Sequence, residues 1–183
     1  MFLDRDGTII EEAGYLDRLD RLVFFPYAID AVRLLQRGGF AVVIVTNQAG
    51  IGRGMYEEQF VRDTHEVMSR RFAAAGVNVD GYYYCPHHPD ATIARYRMAC
   101  DCRKPGPGML RAAAAELDLD LPRSFAVGDK WTDVQAGQAA GAGGILVRTG
   151  YGRASESSPP PGVTPTTVTD NVMSAAAWIL RDA

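Results

Sequence analysis

The sequence predicts an α/β domain built around a mainly parallel sheet, and three observations predict it. Short apolar runs, rich in β-branched residues, alternate with stretches of helical period. Several of those runs end on a polar or acidic residue. The composition, 47% hydrophobic and 22% charged over 183 residues, is that of one ordinary globular domain. The core is expected over residues 1–152, with 153–183 a linker followed by a C-terminal strand and helix packed on the same domain.

The elements follow in order. Phe2-Leu3 is the end of a first strand that runs into Asp4, short for a central strand because three residues precede that aspartate. Ala28 to Gln36 carries Ile29, Val32 and Leu35 on one helical face, and Gly38-Gly39 stops it. Ala41 to Val45 suits a strand buried on both faces. Glu57 to Ala75 is helical, with Phe60, Val67, Met68 and Phe72 as its apolar side and Gly76 as its cap. Tyr82 to Tyr84 is a third strand, Pro107 to Leu117 a helix, and Ser124 to Val127 a fourth strand. Asp133 to Ala140 is a short helix and Gly144 to Val147 a fifth strand. Arg153 to Pro165, rich in Ser and Pro, is a surface linker leading to a helix around Ser174 to Arg181. Gly50 to Gly54 and Gly141 to Gly144 are read as turns. Neither follows the dinucleotide-binding pattern, and a Walker A sequence is absent.

Composition also excludes. A net charge of −3 without a basic tract argues against nucleic acid or an anionic membrane as partner. The longest strongly apolar run, Ala41 to Val45, is far short of a bilayer span. The first motif begins at residue 4, so no signal peptide is expected ahead of it, and a cytoplasmic enzyme is.

Candidate chemistry starts at Asp4-Arg5-Asp6-Gly7-Thr8. Residues two apart on a strand point the same way, so Asp4 and Asp6 face one site, where a cation relieves their mutual repulsion. In open α/β sheets ligands gather outside the carboxyl ends of strands at the switch point. Thr46 ends the second strand with a hydroxyl able to donate to a phosphoryl oxygen. Arg103-Lys104 places fixed cations just ahead of a helix. Asp129 and Asp133 follow the fourth strand. Asp133 is expected to orient Lys104 or a metal-bound water, or to serve simply as a helix N-terminal acid. The cysteines are an odd number in one segment, Cys85, Cys100 and Cys102, so a metal site is favoured over a disulfide framework. With one imidazole they make a closed tetrahedral set for structural Zn²⁺. The residues alone leave His87 and His88 in competition. His65, mid-helix, is read as a surface or packing residue.

These motifs, in this order, resemble the haloacid dehalogenase-like (HAD) phosphatases over nearly the whole chain to about Gly152. The resemblance implies a Rossmann-like three-layer α/β/α fold with a parallel sheet, capless because the spacings leave no room for a large insertion. It implies a phosphoric monoester hydrolase in which Asp4 is the nucleophile and Asp6 the general acid and base. Thr46 and Lys104 would stabilise the transferring group, and Mg²⁺ would be held by Asp4, Asp129 and the Asp6 backbone carbonyl. Tyr83-Tyr84-Cys85-Pro86-His87-His88-Pro89 and Cys100-Asp101-Cys102-Arg103-Lys104-Pro105 narrow this to the subfamily of the heptose 1,7-bisphosphate 7-phosphatases. Histidinol-phosphate phosphatases are the alternative. By that resemblance the zinc ligands of the 85–102 loop are Cys85, His87, Cys100 and Cys102. Arg103, Asn47 and Lys130 would meet substrate, a small phosphorylated sugar. A monomer or small homo-oligomer is expected. Two further classes, a phosphatase of nucleic-acid ends and a non-catalytic zinc-binding module, are disfavoured by the charge balance and by the presence of Asp4, Asp6, Lys104 and Asp129 together.

Overall fold

The computed structural model describes residues 1–182. Strand β1 (Phe2–Leu3) leads to helix α1 (Ala28–Arg37), then β2 (Val43–Asn47), the single turn α2 (Ala49–Gly52), α3 (Glu58–Ala74) and β3 (Gly81–Cys85). There follow α4 (Gly108–Leu117), β4 (Phe125–Gly128), α5 (Trp131–Ala140), β5 (Gly143–Val147), α6 (Gly152–Glu156), β6 (Thr167–Thr169) and α7 (Val172–Asp182). The strands form one parallel sheet in the order β3-β2-β1-β4-β5-β6. The chain winds outward to β3, then returns to the far side of β1, so the switch point lies between β1 and β4.

Strand alternation separates two cores. Leu3, Ile44, Val127 and Ile145 face Val32 and Leu35 of α1, Met68 and Phe72 of α3, and Ile179 of α7. Phe2, Val43, Val45 and Ala126 face Met109, Leu110 and Ala113 of α4 and Ala136 of α5. The register agrees, since Phe2 stands beside Val43 and Ala126 while Leu3 stands beside Ile44 and Val127. The three layers are therefore α1/α3/α7, sheet, and α4/α5. A third, smaller cluster of Ile51, Val61, Ala91 and Tyr96 lies under the segment after β3.

Several expected boundaries shift. β2 runs two residues further than Val45, because the ladder with β3 continues through Thr46 and Asn47. The buried stripe of α1 is Ala28, Ala31, Val32 and Leu35, with Ile29 at its partly buried edge. On α3 the buried residues are Val61, Thr64, His65, Met68 and Phe72, with Phe60 and Val67 at the margin. Of Gly50 to Gly54, read as a turn, residues 50–52 lie in the helical turn α2, where Tyr56 fills the space beside Gly50 and the loop after β3 packs on Gly52. The expected linker likewise begins in α6, anchored where Trp131 Nε1 donates to Ser155 O at 2.6 Å. The expected C-terminal strand and helix are β6 and α7, and the last residue of that segment, Ala183, lies outside the described residues.

Candidate active site

The ladder between β1 and β4 carries on one residue past β1, Asp4 N donating to Val127 O at 2.9 Å, and so sets Asp4 at the switch point. Lys104 reaches it from the segment before α4. Its Nζ lies 2.6 Å from Asp4 Oδ1, 2.5 Å from Asp133 Oδ1 and 2.8 Å from Val45 O. All these groups are buried, Asp4 at 6% exposed and Lys104 at 4%. Burial works against the Lys104 ammonium, but Asp133 and Asp4 hold its pKa above the usual range. Of the alternatives for Asp133, the structure takes two: its Oδ1 orients Lys104, and its Oδ2 accepts from Lys130 N at 3.0 Å at the start of α5.

Asp129 is seated between two glycines. A Cβ at Gly7 (φ +84°) or at Gly150 (φ +53°) would stand 2.3 Å from Asp129 Oδ2, and both positions are left-handed. That oxygen accepts from Tyr151 N at 2.8 Å, whereas Asp129 Oδ1 is buried with no hydrogen-bond partner, its nearest cation being Lys130 Nζ at 3.9 Å. An orphaned, fully buried carboxylate oxygen is costly unless something cationic meets it. Asp4, Asp129 and Asp133 each offer an oxygen, all within 4.8 Å of one another. Burial pushes Asp4 up to about 8, Lys104 opposing and Asp133, Asp129 and Asp6 adding to the rise. Asp129 goes up to about 7, again chiefly by burial, with Lys130 opposing. The donor set is all oxygen and over-supplied with negative charge, which fits Mg²⁺.

The Asp6 carboxylate is held by donors of its own. Oδ2 accepts from Arg5 Nε (3.0 Å), Gln48 Nε2 (3.0 Å) and Thr46 Oγ1 (3.3 Å). Although burial pushes the Asp6 carboxyl up, the Arg5 guanidinium and Gln48 hold it below the usual carboxylate range. Thr46 is therefore at the site, in contact with Asp6, as well as with Gln48 Nε2 at 2.8 Å.

The second cluster lies on the segment after β3. Cys85, His87, Cys100 and Cys102 bring their ligand atoms within 4.8 Å of one another. The sulfurs are 2.9 to 3.4 Å apart, well beyond the roughly 2.05 Å of a disulfide bond. Three thiols and one imidazole at mutual contact fit tetrahedral Zn²⁺. His87 Nδ1 supplies the nitrogen, 3.4 Å from Cys102 Sγ, while His88 Nδ1 is occupied in accepting from Asp90 N at 3.0 Å. The fold thus brings His87, and not His88, into the cluster.

The three expected substrate contacts are distributed differently. Arg103 sits beside the cluster, its Nη1 donating to His87 O at 3.2 Å. Lys130 is at the rim, with Nζ 3.1 Å from Glu12 Oε2, 3.9 Å from Asp129 Oδ1 and 4.6 Å above the Tyr151 ring. Asn47 clamps a peptide: Nδ2 donates to Lys104 O and Oδ1 accepts from Lys104 N, both at 3.0 Å. His65 is a packing residue, stacked on Tyr82 at 4.9 Å between centroids and kept neutral by burial, which lowers its pKa to about 3.

Sequence reasoning missed Arg5, Gln48, Glu12 and Gly150 as parts of this rim. Gln48 lies one residue past the end of β2, where strand alternation no longer places it.

Comparison with known proteins places the chain. The HAD-hydrolase-like family model matches residues 101–175. The D-glycero-beta-D-manno-heptose-1,7-bisphosphate 7-phosphatase of Yersinia pestis is 51% identical over 152 residues, 82% of this chain and 80% of that protein. The enzyme of the same name from Escherichia coli K12 is 43% identical over 182 residues, 99% of this chain and 87% of its own. Among solved structures, D,D-heptose 1,7-bisphosphate phosphatase from B. bronchiseptica, complexed with magnesium and phosphate, superposes with a TM-score of 0.88. It is 34% identical, covering 100% of this chain and 98% of that one.

Proposed function

We propose that this chain, which belongs to the family of the D-glycero-beta-D-manno-heptose-1,7-bisphosphate 7-phosphatases, removes the 7-phosphate of that sugar to leave the heptose 1-phosphate. The reaction would serve nucleotide-activated heptose synthesis in the cytoplasm, with the enzyme a monomer or small homo-oligomer. No helix among the described residues is long and apolar enough to cross a membrane. The observation that carries the reading is Lys104 Nζ held between Asp4 and Asp133, beside a buried Asp129 oxygen that receives no hydrogen bond. It is a site with a fixed buried ammonium, Lys130 at its rim, and three buried carboxylates whose charge leaves room for a metal cation.

In this reading Asp4 attacks phosphorus in line and becomes an aspartyl-phosphate, while Asp6 gives a proton to the departing sugar oxygen. Asp6 then takes a proton from the water that hydrolyses the acyl-phosphate. Thr46 and Lys104 stabilise charge on the transferring group. Asp4 and Asp129, with the Asp6 backbone carbonyl, would hold Mg²⁺, whose contribution is to shield the nucleophile from the phosphate's charge. Cys85, His87, Cys100 and Cys102 would hold Zn²⁺ and thereby fix Arg103, which meets substrate, next to Lys104. Lys130 lies within reach of the same substrate, and Asn47 acts through the Lys104 backbone.

The test is a side-by-side assay of the heptose bisphosphate and histidinol phosphate, with phosphorus NMR of the products. The expected outcome is a kcat/KM at least about tenfold higher for the bisphosphate, retention of the 1-phosphate, and loss of turnover in EDTA restored by Mg²⁺. Preference for histidinol phosphate would overturn the substrate, and undiminished turnover in EDTA would remove the metal.

A further inference from the structure

The residue between the two aspartates has no part in the scheme above. Arg5 is 1% exposed, one of the largest side chains withdrawn from water. Its guanidinium meets a single carboxylate: Nε lies 3.0 Å from Asp6 Oδ2, and Nη2 lies 3.0 Å from both Asp6 oxygens. The remaining nitrogen, Nη1, is buried with no hydrogen-bond partner. Burying a guanidinium is costly, and more so with part of its donor capacity unused. A core arginine kept for packing alone would be expected to spread its donors over several acceptors. Among the described residues this one bonds only to Asp6.

The two Asp6 oxygens are not equivalent. Oδ2 receives three donors, from Arg5 Nε, Gln48 Nε2 and Thr46 Oγ1. Gln48 is itself fixed, because its Oε1 accepts from Tyr56 Oη at 2.8 Å. The Tyr56 ring rests against Gly50, where a Cβ would come within 2.4 Å of it. Oδ1 receives Arg5 Nη2 alone. A carboxylate oxygen has two lone pairs, so Oδ2 is saturated while Oδ1 keeps one direction open.

We propose that Arg5 is a positioning residue of the phosphatase, which with Gln48 turns the Asp6 carboxylate so that Oδ1 is the oxygen that exchanges the proton. The proposal rests on Asp6 being the acid and base. The proton passes from Oδ1 to the ester oxygen as its bond to phosphorus breaks and the Asp4–phosphorus bond forms. It returns to Oδ1 from the water that attacks the aspartyl-phosphate, so Asp6 ends as it began. Arg5 touches neither substrate nor phosphorus and acts through Asp6 alone.

The experiment compares kcat, KM and Tm of Arg5→Met, Arg5→Lys, Asp6→Asn and the Arg5→Met/Asp6→Asn double variant on the bisphosphate. Arg5→Met should lose at least about tenfold in kcat while KM stays within about threefold, because positioning is lost and binding is not. Arg5→Lys should recover part of the loss, its ammonium replacing one of the two contacts. The double variant should be no slower than Asp6→Asn, since Arg5 has nothing else to position. A kcat within about twofold of wild type in Arg5→Met, or a loss that multiplies with that of Asp6→Asn, overturns the proposal. If Arg5→Met does not fold, the same two-by-two comparison is made with Arg5→Lys. An active Asp6→Asn enzyme is a separate result, which would remove the acid–base reading itself.

Discussion

The two clusters able to hold a metal are built in opposite ways. The carboxylate cluster sits just past the ends of two adjacent central strands, β1 and β4, and on the first turn of α5, with its Asp4, Asp129 and Asp133 all buried. Backbone ladders and the two cores set its geometry, and Gly7, Gly128 and Gly150 clear space for it. The Cys/His cluster hangs on a segment leaving edge strand β3, with only Cys85 fully buried. Beneath that segment lies a small cluster that buries Ile51, Val61, Ala91 and Tyr96, helped by Glu58 accepting from Tyr96 and Tyr84 at 2.6 and 2.9 Å. A scaffold can impose a carboxylate site before any ion arrives. A loop with so little core depends on its ion for shape.

This difference predicts that damage at the two clusters should look different. Asp4→Asn should be the largest loss, well beyond a hundredfold in kcat, because an amide cannot form the acyl-phosphate. Folding should survive, because one member of a crowded acid cluster loses its charge while the strands keep their packing. Tm and zinc content of the variant check this alongside its kinetics. An Asp4→Asn protein that unfolds would mean the carboxylate supports the scaffold instead of being supported by it.

Cys100→Ser should come next, and should show the loop's dependence. A hydroxyl is a poorer zinc ligand, so metal content should fall from about one per chain and hydrogen exchange should rise over residues 91–104. Cys100 lies away from the carboxylates, yet Arg103 and Lys104 follow it within four residues. Losses approaching a hundredfold are expected, in both kcat and KM, from misplacement on the order of 1 Å. A wild-type protein free of zinc would break the comparison outright.

The same contrast explains what was legible in the sequence. Element types and the strand-end acids could be read because β-branched runs, helical periods and strand-end aspartates are local signals. Asp129's seat could not be, because it depends on Gly7 and Gly150, far apart in the chain, meeting at one carboxylate. The cysteine spacing announced a metal site but did not choose between His87 and His88, which differ only in the fold, where His87 Nδ1 meets Cys102 Sγ and His88 Nδ1 accepts from Asp90 N. Asn47 was expected to contact substrate by the family resemblance alone. Its amide meets the Lys104 peptide, a partner 57 residues away that no local pattern reveals.

That clamp joins the two regions, and removing it should have the smallest effect of the three. Asn47→Ala deletes both bonds to the Lys104 peptide and leaves a partly buried N–H and C=O without partners, at a stability cost of about 1–3 kcal/mol. The Lys104 ammonium would still be tied to Asp4, Asp133 and Val45 O, and the cysteines and His87 are untouched. The backbone between zinc loop and active site should therefore loosen while each end stays anchored. A kcat lower by about tenfold is expected, less than for Cys100→Ser, because the head group keeps its partners. Zinc content should stay at the wild-type value. If Asn47→Ala sheds zinc, the clamp is part of what shapes the loop, and the two regions fold as one unit. If it keeps zinc and full kcat, the ammonium's own three contacts suffice to place Lys104.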